Sequence, residues 1–232
     1  MNVEEASSIR GFLLPIKESQ KANTYSNYVK SLRVFCREYL KSDAAKSFKI
    51  LKPQLPYVKV PSKAELKMFY DELPSWREKA LFLFWASSGR RRDELLYLNK
   101  DDVDFKQRMF APLDKETGTK NVWYSFYNSE AEEAYLKYQQ EAGDKLNGKL
   151  FEGTSHINGI FRETSERVGV KVSPQVLREW FCQAMGELKV PDRFVDSYCG
   201  RVPQNVLGQR YTDYSPQKLR QIYQSADLKV LG

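Results

Sequence analysis

Residues 198–211 have the sequence Tyr-Cys-Gly-Arg-Val-Pro-Gln-Asn-Val-Leu-Gly-Gln-Arg-Tyr, in which a glycine-arginine pair precedes a tyrosine. Arg201 follows a glycine, and Tyr211 lies ten residues after that arginine. The planar guanidinium group of arginine matches phosphate oxygens through two parallel hydrogen bonds. The pattern therefore favours a site that acts on a phosphate.

Three further places hold basic residues that ordinary surface solvation explains poorly. The segment Ser88–Leu95 contains three consecutive arginines after an apolar run, Arg178 lies within a mostly apolar run, and Lys120 follows the turn-forming residues 116–119. An unpaired guanidinium charge is costly to bury, so acidic groups or a phosphate must meet such arginines. Arginines, a lysine and a tyrosine, without a set of metal ligands, suit phosphoryl transfer at a phosphodiester without a metal.

The composition supports a chain with no metal or cofactor. Cys36, Cys182 and Cys199 are far apart with no paired spacing, and His156 is the only histidine, in a polar segment where a surface position is expected. This leaves little for a zinc site.

The 232 residues include no apolar run long enough for a membrane span, and the N-terminus lacks the pattern of a secretory signal, so a cytoplasmic, nucleoid-associated protein is expected.

Basic charge is concentrated at the start of the chain. The first 60 residues carry 11 Lys or Arg against 5 Asp or Glu, whereas the remainder carries 26 against 25. Such an excess favours a polyanionic partner, because contacts with phosphates release counterions. A helix predicted over residues 24–40 has apolar residues on one face and is flanked by the candidate DNA contacts Lys21, Lys30, Arg33 and Arg37. The alternative to DNA contact is that the basic face of this helix is simply exposed to solvent.

The rest of the pattern predicts a mainly α protein with a small β-hairpin or sheet, of the α+β class. Prolines mark a linker near residue 58, so we expect a short basic helical segment over 1–58 and a second domain over 59–232. Ser62 and Glu65 form a capping box before a helix, and an apolar helix starts near Trp76. Residues 103–127 are typical of a hairpin or small sheet, and a helix with Ser129 as N-cap follows. A terminal helix is expected within residues 215–231.

Three motifs together resemble those of the tyrosine recombinases, and in particular the archaeal fusellovirus and plasmid integrases. They are Ser88–Leu96, Gln175–Glu179 and Tyr198–Tyr211, in the family's order, and the resemblance covers roughly residues 60–232. It implies a catalytic set of six residues, which are Arg91, Lys120, Gln175, Arg178, Arg201 and Tyr211. Tyr211 is the nucleophile of this set, and Lys115 is the alternative to Lys120.

The resemblance also implies a mechanism and partners. The tyrosine attacks a phosphodiester of double-stranded DNA at a specific attachment site, leaves a 3′-phosphotyrosyl link and a free 5′-hydroxyl, and needs neither ATP nor a metal. Arg90 and Arg92 are expected to contact the DNA backbone or lie on the surface, and Lys120 is the candidate general acid. The C-terminal tail of such proteins often packs on a neighbouring subunit, which implies a homotetramer on DNA and a monomer or dimer in its absence.

Two departures from the family pattern leave other functions open. Gln175 replaces a histidine or lysine and cannot exchange a proton, and the N-terminal segment is shorter than the family's usual core-binding domain. An integrase-derived protein that binds DNA without cutting it is therefore one alternative. A type IB topoisomerase-like enzyme is another, although such sequences usually have a histidine where Arg201 stands. Tyr214, three residues after Tyr211, is the rival nucleophile.

Overall fold

The computed structural model describes residues 3–52, 59–112, 123–146, 148–201 and 206–232. The chain divides into two compact units, Met1–Tyr57 and Val58–Gly232. No helix among the described residues is long and apolar enough to cross a membrane.

The first unit consists mainly of two helices, α1 (Val3–Ser19) and α2 (Ala22–Glu38). Leu13 of α1 packs with Tyr25 and Val29 of α2, and the three side chains form a small separate core. The predicted helix over residues 24–40 is confirmed as α2, whereas α1 was not predicted.

The second unit has nine helices within its described residues and one three-stranded antiparallel sheet. The strands are β1 (Val103–Asp104), β2 (Met109–Phe110) and β3 (Ser125–Phe126), in the order β1-β2-β3. The helices are α3 (Lys63–Asp71), α4 (Trp76–Ser88), α5 (Arg92–Leu96), α6 (Ser129–Ala142), α7 (Ile157–Val168), α8 (Pro174–Glu187), α9 (Asp192–Tyr198), α10 (Val206–Arg210) and α11 (Pro216–Ala226). The prediction of a mainly α fold with a small sheet is confirmed.

Helix α4 is the centre of this unit. Every residue from Ala80 to Ser88 is buried, and the helix packs against both α6 and α8. A helix that is apolar almost all round is stable only when other elements enclose it, so this position follows from the sequence. The predicted capping box of Ser62 and Glu65 is present at the start of α3, with both reciprocal hydrogen bonds formed.

The structure tests the predicted strands of residues 103–127 and the predicted start of α6. Phe110 pairs with both Val103 and Ser125, so residues 103–127 form a small three-stranded sheet, which is one of the two predicted alternatives. The predicted turn at residues 116–119 lies outside the described residues. The N-cap of α6 is Asn128 and not Ser129, because the side chain of Asn128 accepts a hydrogen bond from the backbone of Ala131.

The C-terminal helix α11 packs on its own unit. Leu219 and Tyr223 are buried, and the Tyr223 hydroxyl donates to the backbone oxygen of Ser87 in α4 over 2.7 Å. After the helix, Leu228 and Val230 also enter the core of the same unit. The chain end thus completes the core that surrounds α4.

Candidate active site

Arg178 joins the three motifs that the sequence singled out. Its side chain is only 5% exposed, one Nη atom donates to the backbone oxygen of Gly89 over 2.6 Å, and the other donates to that of Cys199 over 2.7 Å. Gly89 immediately precedes the arginine run of the first motif, and Cys199 belongs to the third. One guanidinium group of α8 therefore holds the α4–α5 junction and the end of α9 together.

Glu179, the residue next to Arg178 in the sequence, does not pair with it. Glu179 accepts a hydrogen bond from Gln175 over 2.8 Å, while Arg178 bonds to backbone carbonyls. Burial lowers the pKa of Arg178, and the positive charges of Arg91 and Arg201 act in the same direction. The bonds of Arg178 to Gly89 and Cys199 place it beside the segments that carry Arg91 and Arg201, and positive charge gathered in this way favours binding of an anion.

Arg91 is the N-cap residue of α5 and lies beside Glu94. The Glu94 carboxylate forms an ion pair with the Arg91 guanidinium and accepts a 2.9 Å hydrogen bond from the Arg91 backbone nitrogen. Glu94 is 8% exposed, whereas the Arg91 side chain keeps 30% of its surface in solvent. The pairing fixes the direction of Arg91 while part of its guanidinium remains accessible.

Gly89 permits the close approach of α4 and α8 behind the site. Its φ is 65°, and a Cβ atom built there would lie 2.4 Å from Cδ1 of Phe181. A residue with a side chain would meet both a left-handed backbone and an aromatic ring. The glycine of the first motif is thus required by the geometry that brings Arg178 to the α4–α5 junction.

Arg201 lies on the exposed side of the cluster. It forms a 2.8 Å ion pair with Asp196 of α9, and this hydrogen bond raises the pKa of Arg201. Two thiols lie nearby, since the sulfur atoms of Cys182 and Cys199 are 3.6 Å apart. The hydrogen bond with Cys199 lowers the pKa of Cys182, and the charges of Arg201 and Arg178 contribute in the same direction.

Tyr211 and Tyr214 differ in accessibility. Tyr211 follows α10 directly and is 76% exposed. Tyr214 is half-buried, its ring packs against Phe194 with centroids 6.0 Å apart, and its buried hydroxyl has no partner among the described residues. Only Tyr211 of this pair can meet a phosphate that arrives from solvent. Gln175 is also exposed.

Arg90 is corrected from a DNA contact to a core residue. Its side chain is 1% exposed and its Nε donates to Ser125 Oγ over 2.7 Å, so it cannot contact a DNA backbone at the surface. The neighbouring Arg92 is partly exposed and forms a 3.1 Å ion pair with Asp93. Lys120 and its rival Lys115 lie outside the described residues.

The candidate DNA contacts of the first unit fall into two groups. Lys21, Lys30 and Arg37 are exposed, and Arg37 is paired with Glu38. Arg33 is half-buried, and its guanidinium donates to the backbone oxygens of Lys46 and Phe48. Arg33 thus holds the segment after α2 in place, which leaves less of its charge free for a phosphate.

Two residues of the cluster were not among the predicted site residues. Cys182 lies four residues after Arg178 on α8, so helical spacing alone places both on one face. Asp196 is on the short helix α9, where no periodic pattern points to its ion pair with Arg201.

Comparison with known proteins identifies a family that shares these features. The model of the phage integrase family matches residues 62–218. Tyrosine recombinase XerA of Thermococcus kodakarensis is 25% identical over 239 residues, which cover 98% of this chain and 84% of that protein. Tyrosine recombinase XerC of Staphylococcus aureus is 23% identical over 253 residues, with 97% and 82% covered.

Solved structures with the same fold include recombinases and integrases. A crystal structure of XerA recombinase superposes with a TM-score of 0.56 at 21% identity, over 97% of this chain and 84% of the other. The Tn1549 transposon integrase, in complex with circular intermediate DNA, superposes with a TM-score of 0.63 at 14% identity over 93% and 84%.

Proposed function

This chain belongs to the phage integrase family and is a tyrosine recombinase, and we propose that it cuts and rejoins DNA at specific attachment sites through Tyr211. The phenolic oxygen attacks a phosphodiester, the bond from phosphorus to the 5′ oxygen breaks, and a 3′-phosphotyrosyl link remains. The 5′-hydroxyl of a partner strand later reverses the step. The number of phosphodiester bonds is conserved, so no ATP is consumed.

The observation that carries this proposal is the pair of hydrogen bonds from Arg178 to Gly89 and Cys199. These bonds tie the segments that hold Arg91 and Arg201 to one buried guanidinium group. Fixed donors stabilise a developing charge better than mobile donors, because they need no reorganisation during the reaction. Arg91 and Arg201, whose side chains keep part of their surface in solvent, are therefore suited to the nonbridging oxygens of a pentacoordinate phosphate, and the buried Arg178 adds positive charge to the site.

Gln175 and Lys120 differ in what they can do for the proton transfers of the reaction. Gln175 is a neutral donor that can hydrogen-bond the phosphate but cannot accept the phenolic proton and later return it. We assign the protonation of the departing 5′ oxygen to Lys120, because an ammonium group on a flexible stem can deliver a proton and arginine cannot.

We further propose how the parts of the chain are used. Residues 1–58 serve as a short basic DNA-binding segment through Lys21, Lys30 and Arg37, with Arg92 contributing from the catalytic domain, 59–232. The excess of basic charge in the first 60 residues supports this assignment.

Exchange between two DNA duplexes involves four strand cleavages, which supports a homotetramer on DNA that forms from monomers or dimers. The Gly-Arg-x-Pro form of the third motif favours an archaeal virus or plasmid integrase acting in the nucleoid.

The experiment that tests the function does not require the target site in advance. The purified chain is incubated, without metal or ATP, with a library of duplexes that carry a randomised core and nicks which trap covalent intermediates. Protein–DNA adducts that survive denaturation are recovered and sequenced. The wild type and Tyr214→Phe are expected to form adducts at a shared sequence, and Tyr211→Phe is expected to form none while binding the same DNA.

Three other results would contradict the proposal in different ways. DNA binding without adducts for the wild type would indicate an integrase-derived binding protein, which the exposed Gln175 makes the leading alternative. Adducts at unrelated sequences, with relaxation of supercoiled DNA, would indicate a topoisomerase-like enzyme. Adducts that persist in Tyr211→Phe and disappear in Tyr214→Phe would assign the nucleophile to the rival tyrosine.

A further inference from the structure

Arg90 is a fully buried arginine at the centre of the first motif. It lies between Gly89, where α4 ends, and Arg91, where α5 begins, and its side chain is 1% exposed. Burial lowers the pKa of Arg90 to about 10, so the side chain remains charged at neutral pH. A buried charge is stable only when fixed dipoles or counter-charges compensate for its lost hydration.

The compensating groups of Arg90 come from both sides of the β2–β3 connection. Nη2 donates to the backbone oxygen of Ala111 over 2.8 Å and lies 3.4 Å from that of Trp123, and Nε donates to Ser125 Oγ over 2.7 Å. The guanidinium carbon also lies 5.0 Å from the ring centre of Phe110. Ala111 directly follows β2, and Trp123 comes two residues before β3.

These contacts link Arg90 to two parts of the proposed active site. One planar group binds the residue that leaves β2, the residue that approaches β3, and β3 itself. Its backbone continues directly into Arg91, which faces the phosphate in the proposed mechanism. The chain between Ala111 and Trp123 includes Lys120, the proposed general acid. Arg90 therefore connects the residue that binds the phosphate to both ends of the segment that supplies the proton.

We propose that Arg90 is a positioning residue for strand cleavage, which holds the ends of the β2–β3 connection at a fixed place relative to Arg91 so that the leaving 5′ oxygen is protonated. The inference rests on the proposed function. Displacement of a catalytic group by about 1 Å can reduce a rate by about a hundredfold. An apolar residue at position 90 would fill the space but would make none of the three hydrogen bonds.

The test separates protonation of the leaving group from all other steps. Two nicked duplexes carry the cleavage sequence recovered by the adduct experiment, one with the normal phosphodiester and one with sulfur in place of the bridging 5′ oxygen. A thiol has a pKa of about 8.5, so the thiolate departs without a proton donor. Single-turnover cleavage rates are measured for the wild type, Arg90→Leu, Arg90→Lys and two reference variants, Lys120→Ala and Arg91→Ala.

We expect Arg90→Leu to cleave the normal duplex about a hundredfold more slowly than the wild type and to recover most of that loss on the sulfur duplex. Lys120→Ala should show the same pattern, whereas Arg91→Ala should be slow on both. Arg90→Lys keeps the positive charge but lacks the planar donors, so its cleavage rate on the normal duplex should lie between those of Arg90→Leu and the wild type. A purely structural role of Arg90 would slow both duplexes equally.

Equal losses of Arg90→Leu on the two duplexes, or full activity on both, would overturn the inference. If Arg90→Leu does not fold, Ser125→Ala removes one of the hydrogen bonds and should show a smaller preference for the sulfur duplex; no preference there would also overturn it. Thermal unfolding and DNA binding of each variant establish that the fold is retained. Absence of adducts with the wild type on either duplex would instead refute the proposed function itself.

Discussion

The guanidinium group of Arg178 donates to the backbone oxygen of Cys199 over 2.7 Å while its other Nη atom donates to that of Gly89. A lysine has one nitrogen and cannot make both bonds in one plane. We therefore expect Arg178→Lys to lower the free energy of unfolding by about 1–3 kcal/mol, because a buried carbonyl loses its donor. Urea unfolding followed by circular dichroism measures this loss.

A matched control for Arg178→Lys is Arg201→Lys. Arg201 is about half exposed and pairs with Asp196 at the surface. Exposed ion pairs contribute little, so the control should change stability by less than about 1 kcal/mol. Equal stability of the two variants would contradict the bridging role of Arg178. Both should slow strand cleavage, because Arg201→Lys removes a planar donor to the phosphate and Arg178→Lys loosens the segments that hold Arg91 and Arg201.

Gly89 provides a second test of the packing behind the site. The left-handed backbone and the nearby ring of Phe181 predict that Gly89→Ala destabilises the second unit by at least about 1 kcal/mol. Gly186, in helix α8, has open space at the Cβ position, so Gly186→Ala should be neutral or stabilising by up to about 1 kcal/mol. Thermal unfolding of the two variants checks the expectation, and a stable Gly89→Ala would show that Phe181 moves freely.

Local sequence signals predicted those parts of the fold that depend on local interactions. The capping box of Ser62 and Glu65 and the helix α2 are set by neighbours within one or two helical turns, and both predictions are confirmed. The predicted apolar face of α2 is buried only in part, since Tyr28 and Phe35 are exposed. Helix α1 was missed, since it has a proline at position 15 and a weak apolar pattern. The segment with Lys120 lies outside the described residues, so its assignment rests on the resemblance alone.

Arg90 shows why the site was only partly predictable. Three consecutive arginines look alike in sequence, and the motif identifies only the middle one by its spacing. Arg90 is buried because the carbonyls of Ala111 and Trp123 converge on it from a distant part of the chain, which no local pattern reveals. Likewise, Glu179 is the sequence neighbour of Arg178, yet the carbonyls of Gly89 and Cys199 are its partners.

Asn128 joins the start of α6 to the end of the chain. Its Oδ1 accepts from the backbone of Ala131 over 3.0 Å, and its Nδ2 donates to the backbone oxygen of Leu228 over 3.1 Å. Asn128 Nδ2 also donates to Glu130, so Asn128→Ser should keep the helix cap and lose both Nδ2 bonds, whereas Asn128→Ala should lose the cap as well. We expect losses of about 0.5–1.5 kcal/mol for serine and about 1–3 kcal/mol for alanine in urea unfolding. Full stability of Asn128→Ser would show that the Nδ2 contacts do not contribute, and equal losses for serine and alanine would show that the cap does not.

The reactivity of Cys182 tests the electrostatics of the site at neutral pH. The hydrogen bond with Cys199 and the nearby charges of Arg201 and Arg178 lower the pKa of the Cys182 thiol. Only the thiolate reacts with iodoacetamide, so the alkylation rate should reach half its maximum below the ordinary thiol pKa of about 8.5. Mass spectrometry of the peptide that contains Cys182 follows the reaction, and Cys182→Ser is the control for reaction at buried Cys36 and Cys199.

The hydrogen bond with Cys199 and the charges of Arg201 and Arg178 all lower the pKa of Cys182. A lower pKa means that more thiolate is present at pH 7, so Cys182 should react faster there than a free thiol of equal exposure. Arg201→Gln removes one positive charge and should move the midpoint to higher pH, whereas Arg92→Gln should leave it unchanged, since Arg92 is not among the groups that shift this pKa. A midpoint at or above the ordinary thiol value in the wild type would contradict the close grouping of Arg178, Arg201 and Cys182 on which the proposed phosphate site depends.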